Sequence, residues 1–133
     1  MISLDLAMLL RDAGLVWKPA PGDRFVIPDR DLDDKVFVLS DMTIQVYEVP
    51  EGSLIGFNGT TEWALDDVDK DEAVWMPRED QLRDLLGRAF HRLERVGDSY
   101  IVVATVDGVQ AVFGAARPDE AYGRVMLAIL DSE

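Results

Sequence analysis

Two acidic runs carry the spacing in this sequence that comes closest to a metal site. Residues 29–34 and 67–72 each contain Asp-x-Asp-x-Asp. Calcium loops use this spacing because alternate carboxylates in a tight turn converge on one hard cation. An EF-hand also has glycine at its sixth position and glutamate at its twelfth, and both runs lack both residues there. The pattern therefore favours solvated acidic loops, and we predict no metal ligand and no cofactor.

A second hypothesis for the same acids stays open. The two runs could meet in space, share a divalent cation and serve a small metal-dependent enzyme. The carboxylates that such a site would use are Asp29, Asp31, Asp33, Asp34, Asp67, Asp69 and Asp71.

Composition nearly excludes the usual nucleophilic catalysis. The chain has one histidine, His91, and no cysteine, whereas a hydroxyl or thiol nucleophile needs a positioned base. We predict that His91 lies near the C-terminal end of a helix, where a cation interacts well with the helix dipole. The turn at 56–59 lacks the glycine and lysine spacing of a phosphate loop. No catalytic residue is therefore predicted, and the sequence leans towards a protein without enzymatic activity.

The three tryptophans are the strongest binding signal, and all of them lie between Trp17 and Leu86. Tryptophan is enriched at the energetic centres of protein interfaces. We expect Trp17 to pin the first helix to the sheet, and Trp75 to be structural because it precedes Pro77 at the predicted start of a helix. Trp63 follows a loop of Asn, Gly and Thr, which favours a role in binding a partner. The predicted binding residues are Trp63, Asn58, Glu62, Asp29, Asp33, Asp34 and Asp41.

Net charge narrows the class of partner. The 26 acidic and 13 basic residues give a formal net charge of −13. Phosphate backbones and anionic membranes would be repelled, so we predict no nucleic-acid and no membrane partner. A basic protein partner fits this charge, and solubility alone is the competing interpretation. The N-terminus lacks a basic signal-peptide region, and no apolar run approaches a membrane span, so we expect a cytoplasmic protein.

The length of 133 residues predicts one α+β domain, residues 1–133, with an antiparallel sheet and about three helices packed mainly on one face. The sheet is expected to combine a meander with a hairpin whose turn, Asp107-Gly108, suits positive φ at both positions. Segments 25–27, 36–39, 43–49 and 54–57 supply the meander, and 73–75 adds a short strand. Such a meander leaves an edge strand to cover, so a homo-oligomer is a further expectation.

Three segments predict helices. The first, Leu4 to Ala13, is capped by Ser3 and ended by Gly14, with its apolar face at positions 6, 9, 10 and 13. The second begins with Pro77 in its first turn and follows the helical period from Leu82 to Leu93. The third starts near Pro118-Asp119-Glu120.

Several segments together resemble a family of small acidic bacterial proteins that are often labelled pilus assembly proteins. The family has no established catalytic residues, so the resemblance assigns none to this chain. The matching pieces cover about the first two thirds of the chain and are Trp17-x-Pro19, Phe25-x-x-Pro28-Asp29-Arg30, Asp33-Asp34-x-Val36-Phe37-Val38-Leu39-Ser40-Asp41-Met42, Glu62-Trp63-Ala64-Leu65-Asp66 and Trp75-x-Pro77 with Gln81-Leu82-Arg83.

These observations predict a non-enzymatic accessory or adaptor protein that binds another protein through an acidic surface. Two alternatives remain open: an immunity-type protein that neutralises a basic toxin, and the small metal-dependent enzyme described above. Salt-sensitive association would favour the immunity-type protein, because charge steers such binding.

Overall fold

The structure, a computed structural model, describes residues 1–28, 36–39, 45–49, 52–56, 67–69 and 72–133. The described part is an α+β protein with three α-helices and antiparallel strands, as the sequence predicts. The strands form three three-stranded sheets rather than the one sheet that was expected. In chain order the elements are α1 (Leu4–Asp12), β1 (Arg24–Val26), β2 (Phe37–Val38), β3 (Gln45–Val49), β4 (Gly52–Gly56), β5 (Asp67–Asp69), β6 (Val74–Trp75), α2 (Glu79–Leu86), β7 (Phe90–Val96), β8 (Ser99–Val106), β9 (Val109–Ala115) and α3 (Pro118–Asp131).

The chain divides into two compact units. A terminal unit contains Met1–Val16 and Pro77–Glu133, and a central unit contains Trp17–Met76. The terminal unit holds all three described α-helices and the sheet β7-β8-β9. The central unit holds the other two sheets, ordered β2-β1-β6 and β3-β4-β5.

The predicted meander of the central unit is divided between those two sheets. β1 is the middle strand of the first sheet, where Phe25 pairs with Phe37 on one side and with Trp75 on the other. The rings of Phe25 and Phe37 stack with centroids 5.4 Å apart. The predicted strand at 73–75 is therefore confirmed, but it joins β1 rather than extending the meander, because this order brings the aromatic rings into one cluster.

Helix α3 covers one face of the sheet of the terminal unit. It packs on β8 and β9, and α1 and α2 pack in turn on α3. Tyr122 of α3 contacts Phe90 of β7, with ring centroids 5.5 Å apart. At the start of α1, the Ser3 hydroxyl accepts from the Leu6 N–H at 3.2 Å, as predicted. Leu9, which was predicted on the buried face of this helix, is instead 53% exposed.

The hairpin prediction is confirmed at its turn. Asp107 has φ 51° and Gly108 has φ 77°, the conformation that a two-residue type I′ turn requires. Val106 and Val109 flank the turn and pair with each other. The start of α3 is also confirmed, with Pro118 in its first turn.

The long helix predicted from 82 to 93 is wrong in its second half. Helix α2 begins at Glu79, after the Arg78 cap, so that Pro77 precedes it, and it ends at Leu86. Gly87 then has φ 55°, a left-handed conformation that ends a helix and that glycine adopts at little cost. The chain continues as strand β7, which pairs with β8, so His91 lies in a strand and not at a helix end.

Candidate interaction surface

The residues predicted to bind a partner lie outside the described part of the chain. This holds for all seven: Trp63, Asn58, Glu62, Asp29, Asp33, Asp34 and Asp41. Their grouping into one surface therefore stays a prediction.

Two of the acids considered for a shared cation have a described backbone. Asp67 and Asp69 are the two ends of β5, where they pair with Gly56 and Leu54. Across residues 1–28, 36–39 and 72–133, no group of three or more His, Cys, Asp or Glu side chains is placed to hold a metal ion. The hypothesis of a shared cation keeps only the acidic runs as its basis.

Trp17 and Asp23 form a buried polar contact inside the central unit. The indole Nε1–H of Trp17 donates to Oδ2 of Asp23 at 2.9 Å, and the same oxygen accepts from the backbone N–H of Ala20 at 3.0 Å. Asp23 is only 2% exposed. The Trp17 ring packs on Phe25 with centroids 5.5 Å apart. Trp17 thus fixes the 17–23 loop to the core of the central unit. The expectation that it pins the first helix to the sheet stays a prediction, because the described contacts of Trp17 all lie within this unit.

Trp75 has the same ring type but an unmatched polar group. It packs against the buried cluster Trp17, Phe25, Ile27, Leu39 and Ala73. Its Nε1 is buried and has no hydrogen-bond partner within the described residues. Within the described residues, the contacts of Trp75 are therefore the packing contacts of its ring.

His91 lies on the sheet face opposite α3. The register between β7 and β8 shifts between Phe90 and Arg92, so a bulge at His91 turns its ring towards Thr105. Nε2 of His91 lies 2.7 Å from Oγ1 of Thr105. His91 is exposed and Thr105 is half-buried, and the described residues place no acid beside the pair as a catalytic partner.

Asp119, at the start of α3, is a buried carboxylate whose charge is matched locally. Nη2 of Arg117 and the amino group of Met1 each lie 2.6 Å from its Oδ2. Its Oδ1 accepts from the backbone N–H of Glu120 at 2.8 Å. This cluster anchors the helix N-terminus and is structural.

Helix α1 presents an apolar side chain between two acids. Asp5, Leu9 and Asp12 are all exposed, and their spacing places them on one stripe of the helix. Arg11 partly balances Asp12, with Nε 3.1 Å from Oδ1. Helix α2 repeats the combination, with Leu85 exposed beside Asp84. A partner with an apolar side chain surrounded by basic groups would fit the exposed leucine and acids of either helix.

The two edge strands of the sheet in the terminal unit, β7 and β9, differ in how well they are protected from pairing with another strand. β7 contains His91, Arg92, Glu94 and Arg95 and is bulged, and charges and bulges are the features that keep sheet edges from pairing. β9 runs Val-Gln-Ala-Val-Phe-Gly-Ala, with no charge, no proline and no bulge against β8. The β9 edge is therefore a second candidate interaction surface.

The comparisons with known proteins found no match: no family model, no curated protein and no solved structure is similar to this chain.

Proposed function

We propose that this protein is a non-enzymatic accessory or adaptor protein that binds a basic protein partner through an acidic surface. The observation that carries the proposal is the stripe Asp5–Leu9–Asp12, an exposed leucine with a carboxylate on either side, on a chain of net charge −13. The apolar side chain supplies contact area, and the carboxylates select a basic neighbour and speed its approach.

The residues predicted from the sequence to bind a partner are a separate part of the proposal: Trp63, Asn58, Glu62, Asp29, Asp33, Asp34 and Asp41. Trp63 would serve as an anchor for the partner, because large rings contribute most of the energy in interfaces. No described helix is long and apolar enough to cross a membrane. The bacterial origin, the cytoplasmic location and the family resemblance remain part of the proposal.

Site-specific photo-cross-linking tests the proposal. A photoreactive residue replaces Leu9 in one variant and Val96 in another, because Val96 has a matching exposure, 52% against 53%, but follows Arg95 rather than an acid. We expect the Leu9 variant alone to form an adduct with a basic protein in cells of the source. Asp5→Asn with Asp12→Asn should weaken that adduct, and so should added salt. An adduct at both positions, or one that is indifferent to both changes, would refute the proposal.

Net charge also favours a second candidate, an immunity-type protein that neutralises a basic toxin. Association with such a toxin would be electrostatically steered, so its on-rate should fall steeply with ionic strength. A toxin gene next to the gene for this chain, together with a salt-sensitive on-rate, would support this candidate over a general adaptor. Salt-independent association would count against it.

The metal-dependent enzyme has a direct test. Calorimetric titration with calcium and with magnesium should show no heat of binding if the acidic runs are solvated loops. Binding that is lost on Asp31→Asn or Asp69→Asn would instead favour a cation held by both runs.

A further inference from the structure

We infer that the β9 edge pairs with the β9 edge of a second copy of this chain, forming a two-fold symmetric dimer with a continuous six-stranded sheet. This inference concerns a different surface from the acidic one and does not depend on the proposed partner. It follows from the direction of the main-chain groups of β9, the side chains beside them and the register that two copies would adopt.

The main-chain groups of every second residue of β9 point away from β8. In a two-residue hairpin, the residues that flank the turn form a hydrogen-bonded pair, here Val106 and Val109. Because the direction alternates along a strand, Gln110, Val112 and Gly114 turn their N–H and C=O groups outward. An independent contact agrees with this assignment, since Nη1 of Arg124 donates to the carbonyl oxygen of Gly114.

The side chains along this edge leave it accessible. Val109 is 67% exposed and Val112 is 61% exposed, and Gln110 is exposed as well. A regular edge strand that carries no charge of its own and exposes two valines is a template for strand addition. On the opposite edge, β7, both a bulge and charged side chains oppose the same event.

One register makes β9 self-complementary. With Val112 on the two-fold axis, Val112 pairs with its own copy, and Gln110 pairs with Gly114 of the second copy. All of these residues have outward main-chain groups, so the central Val112 pair can exchange two hydrogen bonds. At each Gln110–Gly114 pair the Gly114 carbonyl oxygen already accepts from Arg124, so the Gln110 N–H must use the second lone pair of that oxygen. Just beyond the strand ends, the same register brings Asp107 level with Arg117 of the second copy, so opposite charges meet.

This register also explains why a second copy is the favoured occupant on a chain of net charge −13. Two copies repel each other in general, but β9 itself contributes no charge, and the Arg124 guanidinium at its edge is a cation that offsets part of the repulsion between two acidic copies. A basic peptide would find no carboxylate along the strand itself. The pairing covers less area than a standard interface, so we expect dissociation in the micromolar range.

Two substitutions at Val112 test the dimer without disturbing the monomer. Val112→Pro removes an N–H that points outward, and proline is tolerated in an edge strand at such a position. Val112→Lys places two ammonium groups opposite each other on the axis, even though it reduces the net negative charge of each copy. Val96→Lys, at the end of the β7 edge, is the matched control because it adds the same charge at an exposed valine.

Sedimentation equilibrium over a range of about 1 to about 500 µM should show a concentration-dependent dimer for the unmodified chain and for Val96→Lys. Both Val112 variants should raise the dissociation constant at least about tenfold, with unchanged circular dichroism. A monomer throughout this range would overturn the inference, and so would a dimer that Val112→Pro leaves intact.

A cysteine variant tests the symmetry itself. The chain has no cysteine, so Val112→Cys introduces a single thiol, and a short bis-maleimide should join two copies through it. Val96→Cys should give no covalent dimer. Failure of Val112→Cys to cross-link would exclude the proposed register. A monomeric chain that captures a different protein through Val112 would show that the edge takes a foreign strand, and it would overturn the dimer.

Discussion

The two described tryptophans of the central unit allow a controlled test of how much an indole N–H contributes to the stability of the fold. Trp17 donates to the buried Asp23, whereas the buried Nε1 of Trp75 has no partner within the described residues. Both rings belong to the same apolar cluster. Replacing each tryptophan by phenylalanine removes a similar part of the ring. The substitution breaks a hydrogen bond at Trp17, whereas at Trp75 it removes a buried N–H that has no partner within the described residues.

The expected magnitudes separate the two variants. Losing roughly 40 Å² of buried ring area destabilises by about 1 kcal/mol. For Trp17→Phe, the lost hydrogen bond to a carboxylate adds about 1.5–3 kcal/mol, so the free energy of unfolding should fall by about 2.5–4 kcal/mol. For Trp75→Phe, removing an N–H that has no partner within the described residues recovers about 1–3 kcal/mol. Its net change should therefore lie between zero and about 2 kcal/mol of stabilisation.

Urea unfolding is the assay, followed by tryptophan fluorescence, because all three tryptophans lie in the central unit. Each variant retains two of them as reporters. A double-mutant cycle between Trp17→Phe and Asp23→Ala should give a coupling energy of about 1 kcal/mol or more. If Trp75→Phe destabilised the unit as much as Trp17→Phe, or if the cycle were additive, the assignment of the two indoles would be wrong.

Two further predictions concern the terminal unit. A Cβ on Gly123 would lie 2.6 Å from Cδ2 of Leu6. We therefore expect Gly123→Ala to lower the free energy of unfolding by up to about 2 kcal/mol, although alanine has the better helix propensity. In a Leu6→Ala background the same substitution should raise it by about 0.5–1 kcal/mol, and urea unfolding measures both changes. Burial raises the pKa of the Tyr122 phenol above its ordinary value of 10.0, and the Glu79 carboxylate adds to this. The folded chain then holds the phenolic proton more tightly than the unfolded chain, so this contribution to stability is complete below about pH 10 and is lost as pH rises through the folded pKa. Tyr122→Phe should reduce that loss when the free energy of unfolding is measured over a pH series. An unchanged dependence of the free energy on pH would contradict the assignment.

The elements that could be predicted from the sequence are those whose signals are local. Asp107-Gly108 specifies its turn because few residue pairs accept positive φ at both positions. Pro118 marks the start of α3 because its fixed φ and missing N–H suit a first helical turn. The order of the strands could not be predicted in the same way, since the pairing of β6 with β1 joins residues far apart in the chain.

The partner of Trp17 was missed for a related reason. Asp23 is one of 26 acidic residues, and nothing in composition distinguishes a buried carboxylate from the solvated ones. The signal that could have found it is its position, since it follows Pro21-Gly22 in a turn and lies six residues after Trp17. A turn at that point brings the carboxylate back to the indole. Burial then follows, because the contact satisfies both groups.

The segment after Gly87 links the wrong helix prediction to the inference about association. As a helix, residues 88–95 would have placed His91, Arg92 and Arg95 near a C-terminus, where cations stabilise the dipole. As strand β7, the same residues line one edge of the sheet and, with the bulge, oppose pairing there. Because the helix ends at Gly87, these charged residues lie on an edge strand of the sheet. Because β8 is the middle strand, the only other edge is β9, and association through this sheet is directed to the strand that carries no charge.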